Sequence, residues 1–202
     1  MALKFANNQS LTNTTALPSA VPTDNLILIS TQTASSSATI SFTTGIDSTY
    51  DEYIFKYINV KAGTGGEDFR FNMSTDSGSN YNVTKTTTAF RTTHNESDST
   101  TSLEYRTDMD LAQSTAFQTL ANGVGSGADE CVSGTLTIFN PSSTTYVKHF
   151  IGVANALGSD FSIGLYTAGY GNTTSAVNAI RFQMSSGNIA DGIIKLYGVK
   201  KS

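Results

Sequence analysis

The 202-residue chain carries 12 basic and 16 acidic residues, for a net charge of −4 and an isoelectric point of about 5.0. Its longest basic run is Lys200-Lys201, so the dense basic stripe of a nucleic-acid binder is missing. No apolar stretch approaches the ~20 residues of a membrane-spanning helix, and Met1-Ala-Leu-Lys-Phe5 lacks the apolar core of a secretory signal.

Only 14% of residues are charged, against about 25% in an average soluble domain. Ser and Thr, roughly a quarter of the chain, supply the polarity instead, and Thr packs well on a pleated sheet. A chain of this length can bury a core without disulfides or metals. The single Cys131 cannot form an internal disulfide and reads as a small buried hydrophobe.

Residues 1–24 are rich in Asn, Thr and Ser, contain Pro18 and Pro22, and show no period of 2 or 3.6. They read as an extended arm. Its spaced apolar residues Leu3, Phe5, Leu11, Leu17 and Val21 exceed what a plain linker needs, so they are expected to pin the arm to a partner subunit.

From residue 25 to 202 the signal is strands. Leu26-Ile27-Leu28-Ile29 is a short apolar run, and Ala38, Ile40 and Phe42 alternate with hydroxyl residues. Tyr53, Phe55 and Tyr57 share one face of the next segment, with Ile54, Ile58 and Val60 on the other. Two apolar faces predict a strand covered on both sides.

Phe69, Phe71 and Met73 alternate with Arg70 and Asn72. Later strands are expected over Val132–Phe139, 146–153, 161–166, Ala179–Met184 and 193–199. Gly- and Asn-rich turns separate them at 62–66, 76–80, 122–127 and 185–188. The segment 91–118 has the weakest pattern, and 108–120 suits either a short helix or another edge strand. About ten short strands without an amphipathic helix predict an all-β, antiparallel, jelly-roll-like β-sandwich.

Catalytic chemistry finds little support. Only His94 and His149 are available, no Gly-x-Ser-x-Gly elbow occurs, and nothing local pairs Cys131 with a histidine. His94-Asn-Glu96 and Asp108-Met-Asp110 lack zinc or calcium-loop spacing. Asp108, Asp110, Asp129 and Glu130 read as solvated turn charges. Asp51 with Glu52, and Glu67 with Asp68, are adjacent on strands and point to opposite faces, so neither pair suits glycoside hydrolysis by itself, which leaves only partnerships between the two pairs. No catalytic residue, cofactor or metal is expected.

Ser74-Thr-Asp76-Ser-Gly78-Ser-Asn-Tyr81 fits the pattern Ser-x-Asp-x-Gly-x-x-aromatic. The Asp should bond turn amides, Gly78 should take a positive φ, and Tyr81 should cap a tight hairpin. This box looks like the repeated ones of sialidase propellers and is a folding device. Six Asn-x-Ser/Thr sequons, at Asn8, Asn13, Asn72, Asn82, Asn95 and Asn172, follow from the abundance of these residue types. Tyr166, Tyr170 and Asn172 are candidates for sugar contact, set against an ordinary role at strand ends.

Four stretches carry a resemblance. They are Ile29-Ser-Thr-Gln-Thr-Ala-Ser-Ser through Gly45-Ile-Asp-Ser-Thr-Tyr50, Phe71-Asn-Met-Ser-Thr-Asp-Ser-Gly-Ser-Asn-Tyr81, Phe139-Asn-Pro-Ser-Ser-Thr-Thr-Tyr-Val-Lys-His-Phe150 and Gly192-Ile-Ile-Lys-Leu-Tyr-Gly-Val199. Together they resemble a family of small virion structural proteins of marine tailed bacteriophages, including those of cyanobacteria. The resemblance implies a part of the virion, without saying which part, and carries no catalytic residues; a place on the virion exterior is expected. A capsid decoration or cement protein is the first expectation, as a homotrimer bound to capsid or tail subunits. The alternative is a tail-fibre or receptor-binding module for a host-surface glycan.

Overall fold

The computed structural model describes residues 25–201. The arm over 1–24, with Leu3, Phe5, Leu11, Leu17 and Val21, lies outside the described residues. Twelve strands follow one another: β1 (Leu26–Ser37), β2 (Ile40–Phe42), β3 (Glu52–Ala62), β4 (Glu67–Ser74), β5 (Lys85–Asn95), β6 (Thr101–Tyr105), β7 (Gln118–Val124), β8 (Val132–Phe139), β9 (Lys148–Gly158), β10 (Phe161–Gly171), β11 (Ala179–Met184) and β12 (Ile189–Val199). They form an antiparallel sandwich of two unequal sheets. The larger has the order β1-β12-β3-β8-β9-β10-β5-β6 and the smaller β2-β11-β4-β7. The region 108–120 holds turns and the start of β7 rather than a helix.

The core forms where the period-2 apolar faces meet. Tyr53, Phe55 and Tyr57 of β3 point at the small sheet and are fully buried, as are Phe69, Phe71 and Met73 of β4 and Ile180 and Phe182 of β11. The Phe55 ring lies 5.3 Å from Phe42 and 5.3 Å from Phe182, and Phe182 stacks on Phe69 at 5.7 Å. Each such pair adds about 0.5–1.5 kcal/mol to plain area burial.

The expectation that both faces of β3 are covered needs correcting. Asn59 takes a φ of +50°, and the pairing with β8 shifts register between Tyr57 and Val60. That bulge turns Val60 inward beside Tyr57, where it is fully buried. It therefore does not share a face with Ile54 and Ile58, which lie on the outer surface of the large sheet; Ile58 is 38% exposed.

Tyr57 also explains a glycine. Its hydroxyl donates to the Val153 carbonyl at 3.1 Å, and β3 pairs Tyr57 with Gly134. Burial pushes the phenol's pKa well up, so it remains a neutral donor. A Cβ on residue 134 would lie 2.7 Å from the Tyr57 ring and 2.2 Å from the Val153 oxygen. Backbone atoms of a central strand cannot step aside cheaply. Gly134→Ala is therefore expected to destabilise the fold by about 1–3 kcal/mol through overpacking, measured by urea denaturation of the two proteins.

Candidate binding face

Three of the four carboxylates considered for hydrolysis are engaged separately. Asp51 pairs with Lys201 at 2.8 Å. Glu67 accepts from the Ser185 hydroxyl. Asp68 binds Arg70 at 2.8 Å and accepts from Asn122 at 2.7 Å. Glu52 lies on the large sheet opposite Phe139 and Val199.

His94 contacts Asp98 at 2.9 Å. Asp108 is held at about 2 by its hydrogen bonds to Arg106, and Asp110 accepts from the Tyr105 hydroxyl at 2.6 Å. The Gly127 and Ser159 amides lower the Glu130 carboxyl. Among the described residues no group of three or more His, Cys, Asp or Glu is placed to hold a metal ion. Cys131 is half-buried rather than fully buried, with its sulfur 3.9 Å from Asn59 Oδ1.

The Asp76 box forms a turn, but β4 and β5 belong to different sheets. It is thus a corner between sheets and not the expected hairpin. The Ser74 hydroxyl donates to Asp76 Oδ1 at 2.6 Å, and the Asn80 amide donates to the same oxygen at 2.8 Å. These bonds hold the Asp76 carboxyl at about 2. Gly78 has a φ of +89°. Tyr81 is buried beneath the Arg181 guanidinium, 3.9 Å above its ring. Asn72 is also fully buried, with Nδ2 donating to Tyr81 and Thr115 carbonyls.

A second feature has no signal in the sequence. Lys85 and Lys148 are buried and flank Gly171 on either side of β10. Lys85 Nζ donates to Asn72 Oδ1 at 2.5 Å and to the Val83 carbonyl at 2.7 Å. Those two bonds use both hydrogens of a neutral amine. Desolvation lowers the Lys85 amine to about 7 and lowers that of Lys148 as well.

The outer surface of the large sheet is the broadest candidate. Burial alternates along β9, β5 and β10, so the outward positions can be read from the register. One row runs Phe90, Tyr166, Val153, Thr135; the next runs Thr88, Ala168, Ile151, Thr137; a third runs Thr86, Tyr170, His149. Across β8, β9, β10, β5 and β6 no outward position is Asp, Glu, Lys or Arg.

Phe90 and Tyr166 stack at 4.8 Å with 7° between planes. That spacing matches the distance between neighbouring strands, so the rings stand upright on the sheet. His149 meets Tyr170 edge-on at 6.1 Å. Ala168 lies between these two pairs. A concavity of about 500 Å³ opens there, lined by Thr86, Phe139, His149, Ile151, Ala168 and Tyr170. A second, of about 150 Å³, shares Ile151 and Ala168 with it and adds Phe90 and Tyr166. A third, of about 420 Å³, lies on the far side of Tyr166 beside Thr135, Asn155 and Gly164.

Tyr166 and Tyr170 are thus brought together on one face. Asn172 lies just past β10, and its side chain bonds Gln113 at 2.8 Å. Comparison with protein-family models, curated proteins and solved structures finds no match for the chain.

Gly78→Val is expected to cost about 1–3 kcal/mol from its positive φ, because a Cβ there would also meet Thr43 at 2.8 Å. Asp76→Ala should lower the melting temperature at neutral pH. The folded carboxyl titrates at about 2, below the ~3.9 of an unfolded chain. Its contribution is therefore present above about pH 4 and fades as the pH falls towards 2. Wild-type and variant melting curves should converge at the acidic end.

Lys85 has the opposite sense. Its folded pKa of about 7 lies below the ~10.4 of an unfolded lysine. The unfolded chain binds more protons between those values, so stability should rise with pH from about 7 to about 10. Lys85→Met should flatten that rise in thermal melts taken across the range.

Proposed function

We propose that the chain is a non-enzymatic structural protein on the exterior of a tailed-phage particle, first of all a capsid decoration or cement protein acting as a homotrimer. The resemblance of its four stretches supports a virion role. The observation that separates attachment from the groove is where the described chain enters the sandwich. It does so at β1, an edge strand of the large sheet among the described residues, next to β12. The groove beside Ala168 lies on β9, β10 and β5. β10 is five strand intervals from β1, or about 24 Å at the usual spacing. Attachment through residues 1–24 would therefore leave that groove clear of the attached edge.

A second reading is a tail-fibre or receptor-binding module for a host-surface glycan. The uncharged groove with its upright aromatic pair favours it. Copy number separates the two readings. Quantitative mass spectrometry of purified particles should find hundreds of copies for a shell component, whereas a dozen or fewer places the protein in the tail. A chain lacking residues 1–24 should fold but fail to bind particles devoid of the protein. Full occupancy by the truncated chain would show that the sandwich itself makes the attachment.

A further inference from the structure

We infer that the groove across the outer face of β9, β10 and β5 is a binding site for a neutral oligosaccharide, centred on the slot above Ala168. The inference rests on the glycan-binding reading and names its site and ligand class. A saccharide offers apolar C–H faces and a rim of hydroxyls, so its site needs apolar walls with a few convergent polar groups.

Phe90, Ile151 and Tyr166 supply the apolar walls and are 43%, 50% and 41% exposed. Ala168, at the middle of the face, is what leaves room between them. The polar groups are free to serve. Tyr53, Tyr57 and Tyr105 spend their hydroxyls on Asp47, on backbone carbonyls and on Asp110. The hydroxyls of Tyr166 and Tyr170 and the ring nitrogens of His149 have no hydrogen-bond partner among the described residues. Asn155 donates to Ser162 at 2.9 Å, which leaves its carbonyl oxygen open beside Tyr166.

Charge sets the ligand class. Acidic sugars are held by Arg or Lys through charge-assisted bonds. The outward positions of the five strands β8, β9, β10, β5 and β6 carry neither, and the next outward cation, Lys56 of β3 beside Thr135, lies over the Tyr197 ring at 5.5 Å, so a neutral glycan is the fitting guest. Shape fits a chain of sugars rather than a single one. Three hollows run in line, joined by shared Ala168, Ile151 and Tyr166. From Tyr170 to Gly164 the groove follows six residue steps of β10, about 20 Å at ~3.3 Å per step.

The test uses the full-length chain in affinity gel electrophoresis against soluble mannan, β-glucan, galactan and xylan, with alginate as the anionic comparator. Calorimetry with oligosaccharides of the best polysaccharide follows. The expected result is retardation by at least one neutral polysaccharide and none by alginate. Ala168→Arg, which fills the slot, and Tyr166→Ala should each weaken binding at least tenfold. Both positions are exposed, so melting temperatures should stay near wild type.

The inference is overturned by the absence of retardation on all four neutral polysaccharides, by retardation that survives both substitutions, or by a preference for alginate. Sedimentation is read in parallel. An oligomer that Ala168→Arg dissociates would make the face an interface between copies and would equally overturn it. Copy number in the particle is measured independently. Failure of glycan binding by a protein abundant in virions removes this inference and leaves the decoration reading standing. Glycan binding by a protein absent from virions does the reverse.

Discussion

The aromatic seam between the sheets is the interaction on which the rest depends. Tyr53, Phe55 and Tyr57 of β3 must all face Phe42, Phe69 and Phe182, because side chains along a strand alternate strictly between faces. A slip of one residue would exchange the whole set for Ile54, Lys56 and Ile58. Fixing β3 fixes its neighbours: Gly134 must lie under the Tyr57 ring, and Tyr57 reaches across to the carbonyl of Val153 on β9. The register then passes from β9 to β10 and on to β5 without a break.

The same parity makes the outer face. Once Phe150, Ala154 and Leu165 are committed to the core, Ile151, Val153 and Tyr166 have no choice but to face outward. An exposed surface with this many large apolar groups and no charge is unusual for a soluble domain and marks a place of contact. Charge is not scarce elsewhere: Arg91 binds Glu104 on the opposite side of the same strands, and Arg106 binds Asp108 at the edge. The neutral character is therefore local to the part of the outer face between β8 and β6; beyond it, Glu52 and Lys56 of β3 share the face beside Phe139 and Thr135.

Where apolar and polar residues alternate, the sequence predicts the strand well. β4, β8 and β11 lie over the segments marked by Phe69-Arg70-Phe71, by Val132–Phe139 and by Ile180-Arg181-Phe182. It fails where Thr occupies both faces. In β5, Thr86 and Thr88 point out while Thr87 points in to bond Gln118 at 2.7 Å, so the period is hidden. β7 is hidden for a related reason, since its buried Gln118 is satisfied by Thr87 and the Met109 carbonyl.

The Asp76 box was legible as a turn, because its bonds are local. Its role as a corner was not, because that depends on which sheet receives β5. Tyr166 and Tyr170 could be named from sequence as sugar-contacting candidates. Their partners Phe90, Ile151 and His149 come from other strands, and only the register brings them together.

The central claim is that this outer face is open in the assembled protein while the seam behind it is closed. Hydroxyl-radical footprinting of the full-length chain in solution tests it residue by residue. Phe90, Ile151 and Tyr166 should label strongly and Phe55, Phe71 and Phe182 hardly at all. Protection of Phe90 and Tyr166 down to the level of Phe55 would contradict the account, because the face would then be covered by another part of the chain or by a second copy.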